Sequence, residues 1–384
     1  MSAQRAVRPA AGRPARVLSI RELNRAALER QLLLQRARMS AAAAIEHLVG
    51  LQGQLCDPPH LGLWTRLADF ATRDLERLLE ERLAVRAGMM RATLHVMTAA
   101  DYALLRPALQ PALERAQRGF FGRHTAGIDL RELCEVGRKL LDEEPLTNKQ
   151  LRSALAQRLP GTDPAALQFS VHYLLPVVQV PPAGFWGAHG SMAATTAETW
   201  LRTPVGTSAA PHRLILRYLA AFGPAAVQDI QAWSGLTRLR EVTEELSCEL
   251  VCFRDEAGRE LFDLPDAPRP GPDLAAPVRF LPEYDNLMVA YKDRTRVLAD
   301  EHRALVSTGN AAIRATVLVD GFVAGRWTAA VRADEVVLDV ESFRDLSDEE
   351  HAALVTEGLM LLGFMFPQSE NRRVEVAWCA SARR

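Results

Sequence analysis

HRLILRYLAAFGPAAVQDIQAWSGLTRLREVTEELSCELVCFRDEAGRELFDL, residues 212–264, is the stretch of sequence that decides the fold. Its apolar residues recur at helical spacing and predict three successive helices over 212–222, 223–236 and 237–250. The residues that follow predict a β-hairpin that turns at Glu256-Ala257-Gly258. Three helices followed by a hairpin are the pattern of a winged helix.

The same order of elements is predicted twice earlier in the chain. In the first part, Ser19 and Glu22 have the spacing of a capping box, and Ser40 precedes an alanine-rich run. A helix is therefore predicted to begin after each serine. A third helix is predicted over 72–84, where leucines and charges alternate with the helical period.

A hairpin is expected to follow each of these helical groups. Residues 90–97 look extended, and Ala87-Gly88 is predicted to form the turn between two short strands. The pattern returns over 146–190, where Thr147 and Gln150 make a second capping box and a turn-containing wing follows.

The C-terminal part has a different composition. A proline-rich linker over 265–277 separates it from the helical units. Several runs beyond it are rich in strand-forming residues, and Asp320-Gly321 marks a hairpin turn. One helix is predicted to begin at Ser347, with Glu350 completing a capping box. These features predict a small antiparallel or barrel-like sheet with a helix packed on it.

The predicted fold class is mixed α/β (α+β) and mainly helical, with tandem winged-helix units followed by a β-rich, barrel-like domain. The expected organisation is a disordered basic arm over 1–16, winged-helix units over 17–140, 141–205 and 206–266, and the β-rich domain over 267–384.

Composition indicates an ordinary globular protein of 384 residues, with 48% hydrophobic and 24% charged residues. The five cysteines are scattered without a C-x-x-C pair, which favours a reducing, cytoplasmic location. No apolar run approaches the roughly 18 residues of a membrane span, and the N-terminus lacks the apolar core of a secretory signal. We therefore expect no membrane partner.

The net charge of −1 hides an asymmetry along the chain. Residues 1–140 contain 22 Lys and Arg against 14 Asp and Glu, whereas residues 141–384 contain 24 against 33. A basic N-terminal third suits a polyanionic partner such as nucleic acid. Chance clustering explains the same counts equally well.

Two glutamines in LVGLQGQLCDPPHLGLWTRL, residues 48–67, are the strongest candidates for chemistry. In an extended chain, residues i and i+2 point to the same side, so Gln52 and Gln54 would present both carboxamides to one target. As bare residues, Gln-Gly-Gln is more typical of a polar loop. Walker A, G-x-S-x-G and H-E-x-x-H motifs are missing, and the nine histidines lack metal-ligand spacing. We therefore predict no metal and no cofactor.

This segment, together with MRATLH (90–95), LPEYDNLMVAYKDRTRVL (281–298) and VLVDGFVAGRW (317–327), resembles the bacterial winged-helix DNA glycosylases of the AlkZ type. The resemblance implies an enzyme that hydrolyses the N-glycosidic bond of bulky N7-alkylated purines, with interstrand crosslinks as a further candidate substrate. It also implies resistance to a genotoxic natural product. The expected partner is double-stranded DNA containing alkylated purines, bound by a nucleoid-associated monomer.

In AlkZ-type glycosylases a Gln, an apolar residue and a second Gln form the catalytic motif, and this resemblance places the catalytic residues at Gln52 and Gln54. Gly53 departs from the family pattern, which has a larger apolar residue there, and glycine leaves the backbone less constrained. A related AlkX-like branch has Asp in the last position, so Gln54 places this chain with the AlkZ-like enzymes.

Two neutral side chains suit the implied reaction. A purine alkylated at a ring nitrogen carries positive charge and leaves without prior protonation, so a strong general acid is unnecessary. A carboxamide can accept a hydrogen bond from the attacking water, and its carbonyl dipole can face the positive charge that develops on the sugar.

Four basic residues are candidates for DNA contact: Arg91, His95, Arg294 and Arg296. Packing is the more common role for a residue such as His95. For Arg294 and Arg296, a DNA contact and a structural role are equally favoured.

Two other features of the matched segments are expected to be structural. Asp285 and Asn286 are expected to satisfy buried groups, with the aspartate paired to an arginine that braces the sheet against the helices. The apolar residues of the 317–327 hairpin suit a sheet core better than a groove-probing role.

Two other classes of protein remain open at this point. A winged-helix transcriptional regulator would use the same units to read a defined sequence, normally as a dimer and without catalysis. A catalytically inert scaffold would keep the fold and lose the reaction. Base release from an alkylated duplex separates the enzyme from both alternatives.

Overall fold

The computed structural model describes residues 16–206, 208–307 and 312–379. The arm expected over 1–16 lies outside this part of the chain, apart from Arg16. The carbonyl oxygen of Arg16 accepts a hydrogen bond from the Arg254 backbone N–H at 3.0 Å. None of the described helices combines the length and apolar character needed to cross a membrane.

The N-terminal half is mainly helical, with short strands between the helices. Its first group of elements comprises β1 (Val17–Leu18), α1 (Ile20–Arg30), α2 (Ala41–His47), β2 (Leu51–Gln52), α3 (Asp57–Trp64), α4 (Thr72–Glu80), β3 (Ala84–Gly88), β4 (Leu94–Thr98), α5 (Ala99–Phe121) and α6 (Leu130–Glu143). The second group comprises β5 (Leu146–Thr147), α7 (Asn148–Arg158), α8 (Pro164–Leu174), β6 (Val177–Gln179), β7 (Ala193–Thr196) and α9 (Ala197–Leu201).

The C-terminal half contains a third helical group followed by a sheet. The helical group comprises α10 (Pro211–Phe222), α11 (Val227–Ser234), α12 (Leu239–Glu245), β8 (Val251–Asp255) and β9 (Glu260–Asp263). The remainder comprises β10 (Arg279–Leu281), α13 (Asn286–Val289), α14 (Arg303–Val306), β11 (Thr316–Val319), β12 (Phe322–Arg332), β13 (Glu335–Ser342), α15 (Asp348–Met365) and β14 (Arg372–Trp378).

Side-chain caps determine where the predicted helices begin. A capping box satisfies two backbone N–H groups that the first helical turn leaves without partners. The three predicted boxes are present, at Ser19 with Glu22, Thr147 with Gln150 and Ser347 with Glu350. The hydroxyl group of Ser40 also caps α2, as predicted.

The third helical group matches its prediction from the sequence. Its hairpin turns between Asp255 and Glu260, with Gly258 at a φ of +79°. Strand β1 pairs in parallel with β8 and completes a three-stranded sheet. Arg30 and Asp263 form a bidentate ion pair with N–O distances of 2.7 and 2.9 Å, and both side chains are buried. This pair connects α1 to the hairpin of the third group.

The first hairpin differs from its prediction. Ala87-Gly88 belongs to β3 rather than to a turn, and the turn lies over 89–93. There Arg91 and Ala92 adopt left-handed backbone conformations, with φ of +54° and +57°. Non-glycine residues adopt left-handed conformations only rarely, so the sequence favours Gly88 as the turn residue. That prediction is wrong because the turn is formed by the residues after it.

The patterns above predict no element over 99–143, where the structure has α5 and α6. Two prolines, Pro107 and Pro111, interrupt the helical signal of α5. Helix α5 continues through them because Leu105, Leu109 and Leu113 bury one side of it completely.

The first two helical groups share one six-stranded sheet, in the order β2-β4-β3-β6-β7-β5. Strands β3 and β6 join the groups through an antiparallel pair in which Arg86 opposes Gln179. Strand β2 lies at one edge and pairs with β4, with Gln52 opposite His95. Gln52 therefore lies on an edge strand, and Gln54 follows two residues later.

The C-terminal sheet is open, with the order β10-β11-β12-β13-β14, so the barrel-like closure expected from sequence is wrong for the described residues. Asp320-Gly321 forms the predicted turn between β11 and β12. Strand β14 pairs in parallel with β13, because α15 crosses over between them. Helix α15 packs its Leu354 and Leu361 against the sheet, as predicted.

Candidate active site

The two glutamines lie at the end of the edge strand, with Gln52 in β2 and Gln54 in the bend that follows it. Gln52 opposes His95, and the Gly53 N–H donates to the Leu94 carbonyl oxygen at 2.8 Å, so pairing with β4 continues to Gly53. The Gln52 side chain is buried, whereas Gln54 is exposed. Gln54 Oε1 accepts a long hydrogen bond of 3.4 Å from the Leu94 N–H.

A cation fixes the orientation of the Gln52 amide. Arg91 Nη2 donates to Gln52 Oε1 at 2.7 Å, and Arg91 Nη1 donates to the Trp233 carbonyl oxygen at 2.8 Å. Because a guanidinium has only donors, the amide oxygen of Gln52 must face Arg91. The amide NH2 of Gln52 is then directed away from Arg91 as a donor. Burial and the neighbouring charge of Arg294 lower the pKa of Arg91 to about 10, so Arg91 keeps its charge at neutral pH.

His95 supports this arrangement as a neutral ring. Its Nδ1 lies 3.0 Å from the Thr93 carbonyl oxygen, which can only accept, so Nδ1 carries the proton. Its Nε2 is then an acceptor and lies 3.5 Å from Arg91 Nη2. Burial and the charge of Arg91 lower the pKa of His95 to about 3. The ring is only 2% exposed, which argues against a direct contact with DNA.

The structure holds the backbone at Gly53 firmly, contrary to the freedom expected of a glycine. Arg86 Nε donates to the Gly53 carbonyl oxygen at 2.7 Å, and Arg86 Nη2 donates to the Gln54 carbonyl oxygen at 3.1 Å. A Cβ atom at Gly53 would lie 3.2 Å from Val96 Cγ2, on the side opposite to the glutamines. Close packing and the Arg86 hydrogen bonds therefore replace the bulk of an apolar residue.

Arg86 and Gln179 are site residues that the sequence did not indicate. Arg86 Nη1 also makes a close hydrogen bond to Gln179 Oε1, so one guanidinium connects the glutamine segment to β6. Burial lowers the pKa of Arg86. An arginine in a strand and a glutamine 93 positions later carry no local pattern that would have paired them.

The C-terminal part braces the glutamine segment from behind, as expected for Asp285 and Asn286. Asp285 makes a bidentate, fully buried ion pair with Arg66, at 2.7 and 2.8 Å. Asn286 Nδ2 donates to the carbonyl oxygens of Leu48 and Gly50, at 3.3 and 2.6 Å. The turn that leads into β2 is therefore fixed by residues more than 230 positions away.

The two remaining DNA-contact candidates have different positions. Arg296 is 4% exposed, its Nη1 donates to the Pro224 carbonyl oxygen at 2.8 Å, and its guanidinium stacks on Tyr291 at 4.1 Å. These contacts indicate a structural role for Arg296. Arg294 is half-buried, and burial together with the charge of Arg303 lowers its pKa.

Arg91, which donates to Gln52, and Arg294, whose charge lowers the pKa of Arg91, are together called the basic cluster. Arg91 donates to two uncharged acceptors, Gln52 Oε1 and the Trp233 carbonyl oxygen. A phosphate group near this cluster would relieve the repulsion between the two cations.

Gln54 lies on the wall of a cavity of about 890 Å³. The cavity is bounded by the segment from Gln54 to Leu61, by the connection between β6 and β7, and by the C-terminal sheet. The exposed amide of Gln54, whose oxygen accepts only one long hydrogen bond, thus borders a space large enough for a small molecule.

Comparisons with known proteins identify the family. The profile described as DNA glycosylase AlkZ-like matches residues 45–364. The chain is 27% identical over 327 residues to an interstrand DNA cross-link repair glycosylase of Streptomyces sahachiroi. The aligned region covers 78% of this chain and 85% of that protein. The structure of Streptomyces sahachiroi DNA glycosylase AlkZ has a TM-score of 0.75 at 22% identity, covering 94% of this chain and 100% of that chain. The chain belongs to the AlkZ-like DNA glycosylase family.

Family membership confirms the resemblance drawn from the sequence motifs. The protein is an enzyme of the DNA glycosylase class, and its substrate is DNA. The regulator and the inert scaffold, which the sequence alone left open, are thereby set aside.

We predict that buried neutral histidines make stability depend on pH. Burial lowers the pKa of His95 to about 3 and that of His172 to about 4, against about 6.5 in an unfolded chain. Below about pH 6.5 the unfolded chain binds more protons, so the free energy of unfolding falls as the pH falls toward 4. His95→Gln should reduce this slope by up to about 1.4 kcal/mol per pH unit.

Urea unfolding at several pH values between about 6.5 and 4 measures the slope. The control is His189→Gln, because the side chain of His189 is exposed and this variant should keep the wild-type slope. An unchanged slope in His95→Gln would show that His95 takes up its proton without unfolding.

Proposed function

We propose that this glycosylase hydrolyses the N-glycosidic bond of bulky N7-alkylated purines in duplex DNA and leaves an abasic site. The observation that carries the proposal is that the described hydrogen-bond partners of the two amides are not acids at neutral pH. These partners are Arg91, which keeps its proton at neutral pH because its pKa is about 10, and the Leu94 backbone N–H. His95, behind Arg91, has a pKa of about 3 and is deprotonated at neutral pH.

Such a site matches a leaving group that is already cationic. N7-alkylation places positive charge on the purine, so the base departs as a neutral molecule without an enzyme acid. An unmodified purine would need protonation, which these groups do not supply. The proposed selectivity for alkylated bases therefore follows from the lack of an acid among the described partners of Gln52 and Gln54.

The two amides have different proposed roles. Gln54 is exposed and its oxygen accepts only a long hydrogen bond, so this oxygen is available to the attacking water and to the positive charge that develops on the sugar. The oxygen of Gln52 is used by Arg91, so Gln52 acts through its NH2 group. That NH2 group can donate a hydrogen bond to the oxygen of the attacking water and so direct a lone pair of the water toward the sugar.

We further propose that the helical groups act as tandem winged-helix units, over the boundaries predicted from sequence, and that a monomer holds the duplex across them. Arg91 and Arg294 face the phosphates, whereas His95 lies against Arg91 inside the protein and Arg296 has a structural role beside Tyr291. An open surface suits a lesion too bulky to enter a closed pocket by base flipping.

Three further parts of the proposal concern the biological setting. The name of the Streptomyces relative, an interstrand DNA cross-link repair glycosylase, supports crosslinks as a second substrate class. We propose that the enzyme acts at the nucleoid in the cytoplasm. We also propose that its physiological role is resistance to a genotoxic natural product.

Removing either amide should abolish most of the rate enhancement. Gln54→Ala and Gln52→Ala are each expected to lower single-turnover base release by about 10²-fold, the typical cost of losing one preorganised electrostatic contact. Release from a duplex containing N7-methylguanine measures the rate under enzyme excess. Affinity for the duplex should change much less, because neither amide provides charge.

The matched control is Gln228→Ala, which removes an exposed glutamine from α11 and should leave the rate unchanged. Wild-type release that persists in Gln54→Ala would refute the assignment of this residue. Tight binding of the wild type to one undamaged sequence, without release, would refute the proposed reaction.

A second prediction concerns the basic cluster. Arg294→Gln should weaken binding to damaged and undamaged duplexes by a similar factor and reduce the slope of log K against log salt by about 1, as expected for one phosphate contact. Arg373→Gln is the control, since the exposed Arg373 side chain pairs with Glu335 at 3.1 Å and with Glu375 at 2.8 Å and does not line the cavity beside Gln54. An unchanged salt slope would place the DNA backbone away from Arg294.

A further inference from the structure

The cavity beside Gln54 is larger than the proposed reaction centre requires. A methyl group on a purine occupies a small fraction of 890 Å³. Volumes of about 300 to 1,000 Å³ are typical of sites that enclose a whole small molecule. The cavity is therefore of the size expected for a large substituent rather than for the purine alone.

Two tryptophans of the cavity wall are fixed in place. Trp327 is buried, and its Nε1–H donates to the Leu281 carbonyl oxygen at 3.0 Å. The Trp186 ring makes edge-on contacts with His60 and Phe364, at centroid distances of 5.7 and 5.5 Å. A surface held by such contacts is preformed, so little conformational entropy is lost when an apolar ligand binds.

Many polar side chains also line the cavity. Glu283 and Arg314 are among them, and burial raises the pKa of the Glu283 carboxyl group. Arg326 also lines it and is paired with Glu341 at 3.0 Å. Apolar atoms nevertheless provide most of the lining surface, as is typical of sites for organic small molecules.

We propose that this cavity receives the apolar, ring-containing substituent of an N7-purine adduct while the purine stays at Gln52 and Gln54. The inference rests on the proposed function and deepens it, because it names the part of the substrate that the protein recognises. Binding of the substituent holds the glycosidic bond beside Gln54. The enzyme therefore favours bulky aromatic adducts over methyl adducts.

Filling the cavity tests this inference. Ser191→Trp and Thr328→Trp introduce an indole from two different walls, at residues whose side chains are exposed. The control is Ser153→Trp, an exposed serine of α7 that does not line the cavity. Single-turnover release is measured from duplexes that carry either N7-methylguanine or the N7-guanine adduct of aflatoxin B1 epoxide, a fused-ring substituent.

Both cavity variants are expected to lose about 10-fold or more of the rate on the aflatoxin adduct while keeping the rate on N7-methylguanine within about 2-fold. Thermal unfolding checks that each variant is folded. If one of the two cavity variants does not fold, the rates of the other variant test the proposal. If folded variants change the rates on both adducts by the same factor relative to the wild type, or change neither rate, the cavity assignment is overturned. The glycosylase proposal would still stand. Release of neither adduct by the wild type would overturn both.

Discussion

The Arg86 guanidinium makes the interaction on which the site depends. From a position only 4% exposed, it donates to the backbone carbonyls of Gly53 and Gln54 and to the side chain of Gln179. It thereby fixes an edge strand that has only one neighbour. Because side chains alternate along a strand, a slip of one residue would turn Gln52 to the opposite face. The planar fork of an arginine suits several acceptors at once.

Other parts of the molecule also contact the segment that carries Gln52 and Gln54. The C-terminal part holds the preceding turn through Asn286, and the buried Asp285–Arg66 pair connects the two parts. Arg91 reaches Gln52 from a turn whose left-handed backbone was itself unexpected. In the proposed mechanism, two neutral amides on a fixed backbone form a preorganised site for a reaction whose leaving group already carries the charge.

Local signals were sufficient for much of the fold and for part of the site. Capping residues such as Ser19 and Ser347 act within one helical turn, so their helices were predicted correctly. The turn at Ala87-Gly88 was predicted wrongly, since pairing with neighbouring strands overrides the preference of glycine for turns. The Arg86–Gln179 contact was missed because it joins strands that are distant in sequence. The roles of Gln52 and Gln54 remain predictions.

The most direct test of this account is the single-turnover rate of base release by Arg86→Lys. A lysine keeps the positive charge but replaces the planar fork, whose donors lie on three nitrogen atoms, with a single ammonium nitrogen. We expect a folded protein with unchanged affinity for the duplex and a rate lowered by about 10²-fold, the scale expected when reacting groups shift by about 1 Å. A folded variant with the wild-type rate would contradict the claim that Arg86 positions the glutamines.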